Sequence, residues 1–212
     1  MPVDRPRYTS PPDYQVQPAG PPPRMDTVEA VLTQIGASLA SVDLSVAELV
    51  AKTRSFATVT VAVTRPADTS NYANGDAWAD STTTPTAGGF EVANAARTSG
   101  GSGVIRGVVV VSSDNAGPAL EGELWVFDSP VTAVADNAPF TLSSADAAKL
   151  CGVVPFELTV EAGSNSLAVV AADIAFTAAG SASLWFLVRL AGAYAPVSAE
   201  TLRARFKIEH MS

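Results

Sequence analysis

Cys151 and His210 carry the side chains most often used for nucleophilic or metal chemistry, and the 212-residue chain contains one of each. A single cysteine cannot form an internal disulfide, and one histidine with one cysteine cannot complete a typical zinc site. A catalytic pair would require His210, two residues before the end of the sequence, to fold back onto Cys151. We therefore expect Cys151 to be a small buried hydrophobic residue and His210 to lie at the surface.

Three carboxylates could in principle supply an acid–base pair: Glu121, Glu123 and Asp173. Glu121 and Glu123 share one face of a predicted strand, about 7 Å apart, a spacing that a glycosidase could use. Alternating charge along a strand is, however, the usual pattern of a solvent-facing surface, and the neighbouring residues supply no apolar pocket. The sequence therefore predicts no catalytic residue and no enzymatic activity.

Aspartate and asparagine recur in three short segments, Asn74-Gly75-Asp76, Asp114-Asn115 and Asp136-Asn137. They offer oxygen atoms to calcium, but none has the one-three-five spacing with a closing glutamate, and all are typical of turns. The glycine-rich segment 100–103 lacks a following Lys-Ser/Thr and precedes a strand, so it does not fit a phosphate-binding loop. We predict no metal and no cofactor.

Five aromatic residues could stack on sugar rings in a lectin-like groove: Trp78, Trp125, Trp185, Tyr72 and Tyr194. Trp125 and Trp185 lie in apolar segments, where core or subunit packing is the commoner role of an indole. Carbohydrate binding therefore stays open as an alternative function.

The charge balance and the hydropathy exclude two classes of partner. With 13 Lys and Arg against 21 Asp and Glu, the net charge of −8 disfavours binding to nucleic acid. No stretch approaches the roughly 18–20 uncharged apolar residues of a membrane helix, and the first residues lack the apolar core of a signal peptide. We expect neither a nucleic-acid nor a membrane partner.

Residues 1–25 are predicted to form an extended arm, because residues 1–24 contain eight of the fifteen prolines of the chain. Proline fixes its own φ and disfavours helix in the residue before it, so this segment cannot build a core of its own. The side chains able to bind a partner surface are those with charge or large contact area: Arg5, Arg7, Tyr8 and Tyr14.

Residues 26–54 are predicted to be helical, opened by a capping box between Asp26 and Glu29. Apolar residues follow at alternating spacings of four and three, which is the seam of a coiled coil. Leucine at two of the three a positions, with β-branched residues at most d positions, favours three or more strands, so we expect a homotrimer. The alternative is an amphipathic helix, broken near Asp43, that packs on its own β domain. The predicted oligomerisation residues are Val28, Leu32, Ile35, Leu39, Val42, Val46 and Leu49.

Residues 55–212 are predicted to form an all-β domain. Val59, Val61 and Val63 alternate with threonines, which indicates a half-buried strand. Strand patterns with little helix between them predict an antiparallel, jelly-roll-like β-sandwich, interrupted by one helical turn near Ser143–Leu150. The further predicted strands are Gly89–Ala95, Gly103–Ser112, Ala119–Asp128, Phe156–Val160, Leu167–Thr177, Ala182–Leu190 and Thr201–Glu209.

The last predicted strand has one charged face, formed by Arg203, Arg205, Lys207 and Glu209. The three cations could dock on an acidic neighbour. They equally fit a solvated strand face that protects the edge of a sheet from further pairing.

Five segments of the β domain follow one another in a characteristic order: GVIRGVVVV (103–111), ELWVFDSP (123–130), ADNAPFTLSSADAAKLCGVVPF (135–156), LWFLV (184–188) and YAPVSAETLRARF (194–206). In this order of segments, the domain resembles a group of structural proteins of tailed bacteriophages. No catalytic residues accompany this pattern. The resemblance implies a virion component that decorates the capsid or belongs to a fibre or tail.

Two classes of function follow from these expectations. In the first, the chain is a virion structural protein that decorates or cements the capsid, anchored by residues 1–25 to the major capsid protein or another virion protein. In the second, the β domain is a fibre or tail adhesin, or a carbohydrate-binding module. Loss of binding when the arm is removed would favour the first class.

Overall fold

A computed structural model of the chain describes residues 29–40, 55–114, 120–163 and 165–211. The chain divides between Glu48 and Leu49 into two compact units. In the first unit, residues 29–40 form a helix, α1. The arm residues Arg5, Arg7, Tyr8 and Tyr14 lie outside the described residues, as do Val28, Val42, Val46 and Leu49 of the predicted seam.

The second unit is an all-β sandwich of two antiparallel sheets, which confirms the predicted fold class. One sheet has the strand order β1-β10-β4-β8-β7, and the other has β2-β9-β5-β6, with β3 also paired to β9. The strands are β1 (Ser55–Thr64), β2 (Ala77–Trp78), β3 (Phe90–Val92), β4 (Ser102–Ser112), β5 (Glu121–Phe127), β6 (Leu150–Glu157), β7 (Val160–Ala162), β8 (Asn165–Thr177), β9 (Leu184–Leu190) and β10 (Thr201–His210).

The two sheets enclose one main hydrophobic core, built from the inward-facing positions of their strands. In β10, Leu202, Ala204, Phe206 and Ile208 are buried, because successive side chains of a strand point to opposite faces. Across the core, Phe206 contacts Phe186 of β9, with ring centroids 5.4 Å apart. The alternation in sequence therefore sets which face of each sheet meets the other.

The segment before β6 differs from the sequence prediction. The helical turn α2 (Ser144–Ala147) is shorter than expected, and β6 begins at Leu150, six residues before the predicted start. The run from Leu150 to Val154 pairs with β5, and the adjacent Pro155 fits because β6 is the last strand of its sheet. The sequence analysis did not predict this part of the strand, because residues 150–154 do not alternate between apolar and polar and are followed by a proline.

The position of β10 also differs from the sequence prediction. Arg203, Arg205 and Lys207 are exposed as expected, but β10 lies between β1 and β4 and does not protect an edge. Glu209 is buried instead of exposed, because it pairs with Arg106 at 2.7 Å. A register shift between Lys207 and Ile208 interrupts the alternation just before Glu209.

Asp146 links α2 by hydrogen bonds to Ser143, the residue just before the helix. The backbone N–H of Asp146 donates to the capping hydroxyl of Ser143, that hydroxyl donates to Oδ2 at 2.8 Å, and Lys149 Nζ lies 3.0 Å from Oδ1. These bonds, with that of Ser143 the strongest, lower the pKa of the Asp146 carboxyl to about 2. The carboxylate form of Asp146 therefore stabilises the folded state.

We expect Asp146→Asn to lower the melting temperature of the sandwich at pH 7. Because the pKa is depressed in the folded state, this contribution is complete above a pH of about 4 and is lost as the pH falls toward about 2. Melting curves of the two proteins across this range should converge at the acid end. A gap that stays constant down to pH 2 would show that the charge of Asp146 contributes nothing.

Candidate functional site

The apolar face of α1 is the clearest candidate for an interaction surface. Val31, Leu32, Ile35 and Leu39 are each more than half exposed, although they are among the largest apolar side chains of the helix. Val31, Ile35 and Leu39 line a shallow groove along the helix together with two polar residues. We call Leu32, Ile35 and Leu39 the helix seam, since they are the described members of the predicted coiled-coil pattern.

Contiguous exposed apolar side chains on a short helix are typical of a surface that another element covers. Positions 32, 35 and 39 share one face of α1, because they follow the three–four spacing of a helix. Ala37 lies on the opposite side of α1 by the same spacing. The helix seam is therefore an exposed apolar face, and none of its three side chains is titratable or nucleophilic.

A cationic face covers part of the outside of the β1-β10-β4-β8-β7 sheet, and consists of Arg203, Arg205 and Lys207. Arg205 lies opposite Thr60 of β1 on one side and Val109 of β4 on the other. Val109 in turn lies opposite Val169 of β8, which is 69% exposed. The surface therefore combines positive charge with uncovered aliphatic side chains.

A groove of about 640 Å³ runs along the side of the sandwich where β5 and β6 approach β8. Glu121, Glu123 and Glu157 contribute carboxylates to it, and Phe156 contributes an apolar wall. Glu123 accepts hydrogen bonds from Trp125 Nε1 and from Arg189 Nη1, both at 2.9 Å. Glu123 is therefore held in an ion pair with Arg189, whereas the Glu121 carboxylate has no side-chain partner among the described residues.

Asp173, the third carboxylate considered for acid–base chemistry, does not join this groove. It lies on the outward face of β8 and forms an ion pair with Arg106, which also binds Glu209. The structure therefore does not bring the three candidate carboxylates together.

Three of the five aromatic residues considered for sugar stacking are buried. Tyr72 and Trp78 stack with ring centroids 5.5 Å apart, and Tyr194 packs against Trp78 at 6.3 Å. All three lie in the core and are 5% exposed or less, so the expectation that they could meet a sugar is wrong. Trp125 and Trp185 are half-buried, and Trp125 packs on Phe140 at 5.2 Å.

A buried polar cluster, absent from the sequence analysis, surrounds this aromatic stack. Arg65 Nε donates to Tyr72 Oη at 2.9 Å, and Tyr72 Oη donates to Asp136 Oδ1 at 2.6 Å. The guanidinium lies 5.1 Å from the centroid of the Tyr72 ring and 3.6 Å from Asp136 Oδ2. Burial raises the pKa of Asp136, whereas its bonds to the Ala79 N–H and Tyr72 act in the opposite direction.

Glu200 forms a second buried polar group next to the first. Tyr194 Oη donates to this carboxylate at 3.0 Å, and the Ser112 hydroxyl donates to it as well. Burial raises the pKa of Glu200. The Glu200 carbonyl also accepts the backbone N–H of Arg65. Both polar groups connect chain segments far apart in sequence, so they stabilise the tertiary structure of the sandwich.

Cys151 and His210 occupy separate environments. Cys151 is half-buried in β6, and burial raises the pKa of its thiol to about 11, which keeps it protonated and a poor nucleophile at neutral pH. His210 is half-buried instead of at the surface, because its Nδ1 pairs with the Ser55 hydroxyl at 3.1 Å. The described residues contain no group of three His, Cys, Asp or Glu arranged to hold a metal ion.

The turn residues Asp76 and Asn137 are also explained by packing. The Asn137 amide, oriented to satisfy its surroundings, donates to the Asn71 carbonyl and to Asp76 Oδ2. Asn137 itself adopts a φ of 58°, in the left-handed region that asparagine tolerates. The side chains of Asp76 and Asn137 are therefore hydrogen-bonded within turns, as the sequence predicted.

No family model and no curated protein matches this chain. Among solved structures, it is similar to the cyanophage Pam1 capsid asymmetric unit, with 17% identity and a TM-score of 0.31 over 75% of this chain and 85% of that chain. It is also similar to a structure of Desmodium yellow mottle tymovirus, with 12% identity and a TM-score of 0.25 over 76% and 89% of the two chains. Both structures are viral.

The described part of this chain contains no helix suited to crossing a membrane.

Proposed function

We propose that this chain is a non-enzymatic structural protein of a bacteriophage particle, which decorates or cements the capsid through its N-terminal arm. The observation that carries the proposal is the helix seam: Leu32, Ile35 and Leu39 are exposed at coiled-coil spacing ahead of a separately folded β-sandwich. An arm, an association helix and a stable outward domain are the parts that a decoration protein needs. The resemblance of the β domain to phage structural proteins supports the same role.

Anchoring is assigned to residues 1–25. A proline-rich segment loses little conformational entropy when it binds in an extended form, so its contacts convert efficiently into affinity. Arg5 and Arg7 can form charge-assisted bonds, and Tyr8 and Tyr14 can supply contact area. The surface they bind belongs to the major capsid protein or to another virion protein.

Association is assigned to α1 and the residues that continue its pattern, from Val28 to Leu49. The spacing favours a homotrimer, in which each copy covers the seam of its neighbours. A trimer also places three arms on one particle-binding unit, which strengthens attachment without any new type of contact. Decoration by trimers is thus the form of the function that we favour.

The second candidate is an adhesin or carbohydrate-binding module. Its remaining support is the partial exposure of Trp125 and Trp185, since Tyr72, Trp78 and Tyr194 are buried. Alanine at Trp125 or Trp185 would abolish binding to cells or glycans if the sandwich were an adhesin. Such a loss would favour this candidate over decoration.

Deleting Met1–Arg24 tests the proposed anchor. We expect the truncated chain to remain folded and associated, because neither the sandwich nor α1 includes these residues, but to lose binding to particles that lack the native protein. Occupancy can be measured by sedimenting the particles and quantifying the bound chain.

A full-length variant in which Arg5, Arg7, Tyr8 and Tyr14 are all alanine serves as the matched control for the deletion. It keeps the length and the prolines of the arm, so its loss of binding would assign the contact to these four side chains. Undiminished occupancy of the truncated chain would contradict anchoring by the arm. The cationic face, Arg203, Arg205 and Lys207, would then be the next surface to test.

A further inference from the structure

The edge strands of the sandwich differ in how well they are protected against pairing with another strand. β2, β3 and β7 are only two or three residues long. β6 contains Pro155, and its pairing with β5 shifts register next to Phe127. β8 contains the charged Asp173 at a register shift against β4. Short length, proline, charge and bulges are the devices by which proteins prevent edge-to-edge association.

β1 has none of these devices. It is the end strand of its sheet within the described residues, it is ten residues long, and its sequence SFATVTVAVT has no charge and no proline. All ten residues pair one-to-one with β10 without a register shift. A long, regular and uncharged edge is a template for another strand, so we expect a partner to cover it.

The backbone of β1 directs a defined set of groups away from β10. The N–H of Arg65, just beyond β1, donates to the Glu200 carbonyl, and this pair continues the β1–β10 register. Hydrogen-bonded and non-hydrogen-bonded pairs alternate along an antiparallel ladder, so the odd-numbered residues of β1 bond to β10. The N–H and C=O groups of the even-numbered residues therefore point outward, at Phe56, Thr58, Thr60, Ala62 and Thr64.

We propose that β1 is an interface to a second copy of this chain, in which two β1 strands pair antiparallel about a two-fold axis at Thr60. Thr60 then lies opposite Thr60 of the second copy, Thr58 lies opposite Ala62, and Phe56 lies opposite Thr64. This register pairs every outward backbone group between positions 56 and 64 with another outward group, and joins two five-stranded sheets into one. β8 is longer, but it contains Asp173 and a register shift against β4, whereas β1 has neither charge nor register shift.

The side chains favour the same occupant. Phe56 is 73% exposed in the single chain and gains a neighbour across the axis. Every pair formed between the two strands is uncharged. The closest described cation is Arg97, whose Nε donates to Ser55 Oγ at 3.1 Å, at the start of β1 and outside the paired positions 56–64. The cations of the two β10 strands are separated by three strand spacings, or about 14 Å, which exceeds the screening length of about 8 Å at physiological salt. Repulsion between the two β10 strands therefore does not oppose the pairing.

The interface depends on the sandwich alone and is separate from the helix seam. If α1 also forms the proposed trimer, each chain takes part in one three-fold and one two-fold contact. Such a combination links copies into an extended net or a closed shell. That consequence rests on the proposed decoration function, whereas the strand pairing does not.

Disulfide trapping in the full-length chain tests the register. Thr60→Cys places two thiols on the axis with Cα atoms about 5.5 Å apart, within the range for a disulfide. We expect mild oxidation to give a covalent dimer of this variant, whereas Thr58→Cys, whose two copies lie about 14 Å apart along the strands, gives none. The double variant Thr58→Cys, Ala62→Cys should form the dimer again. The wild-type chain, with Cys151 alone, controls for the native thiol.

The absence of a Thr60→Cys dimer, or equal trapping of Thr58→Cys, would overturn the proposal. Thr60→Lys provides a second measurement, because it places two ammonium groups together on the axis. In an Ile35→Asp background, where the helix contact is removed, we expect dimers that Thr60→Lys converts to monomers, while Ala171→Lys on the same sheet leaves them intact. Failure of this pairing with a trimer still present would leave the proposed function standing.

Discussion

Replacing Ile35 with aspartate is expected to abolish association through α1. Ile35 is a predicted d position at the centre of the helix seam, and its side chain is half exposed in the single chain. In a trimer, three carboxylates would be buried together near the axis, and an unpaired charge in an apolar environment costs several kcal/mol. Mass measurement at tens of micromolar should show loss of the three-chain species and its multiples.

Ala37→Asp is the matched control for this prediction. It introduces the same charge into the same helix, on the side away from the helix seam, and should leave the assembly unchanged. A strict monomer before substitution, or equal behaviour of the two variants, would contradict a coiled-coil role for α1. It would favour the alternative that the helix packs on its own sandwich.

Removing the buried guanidinium is expected to be the most destabilising single change in the sandwich. Arg65 and Asp136 have fully buried side chains, and Arg65 also binds the Asp68 carbonyl at 2.6 Å. Arg65→Met leaves the Asp136 carboxylate without a cation, and breaking a buried pair in this way typically costs about 3–5 kcal/mol. All three tryptophans lie in this domain, so their fluorescence during denaturant unfolding measures the loss.

The pH dependence of the Arg65→Met defect has a definite sign. Burial already raises the pKa of Asp136, and loss of the cation raises it further. A folded state with a raised pKa binds the proton more tightly than the unfolded chain, so the defect should shrink as the pH falls through that pKa.

Adding Asp136→Asn to Arg65→Met should recover part of the stability at neutral pH. The neutral amide oxygen can still accept the bonds from Tyr72 and the Ala79 N–H. A defect that is independent of pH and unaffected by the second change would mean that Arg65 acts only through its packing.

The strands with strict alternation could be predicted from the sequence. In β1 and β10, every second residue is apolar, and the burial of Val63, Phe206 and Ile208 follows directly from a period of two. The cap at Ser143 was also predictable, because its hydroxyl acts on a backbone group only three residues away. Such local rules identify elements and their inner faces.

The features that the sequence analysis missed depend on distant partners. Tyr72 and Asp136 are 64 residues apart, and nothing local indicates that they share a hydrogen bond. Trp78 is buried because Tyr72 and Tyr194 enclose it, which its neighbours in sequence do not indicate. The central position of β10 likewise depends on pairing with β4, a strand about one hundred residues earlier in the chain.

The two candidate interaction surfaces, the helix seam and the edge of β1, also differ in whether the sequence predicts them. The helix seam follows from spacing, so Leu32, Ile35 and Leu39 could be chosen from sequence, and they are exposed in the structure. The open edge of β1 could not be chosen, because its significance comes from the strands that neighbour it and from the protection of the other edges. A strand is recognised locally, whereas an edge is a property of the sheet.

A density map of purified phage particles that carry the native chain tests the central proposal most directly. The account predicts sandwich domains on the outside of the capsid, grouped in threes, with the proline-rich segment lying in an extended form along the underlying capsid protein. Absence of the chain from purified particles, or its attachment by the sandwich with the arm directed into solvent, would contradict it.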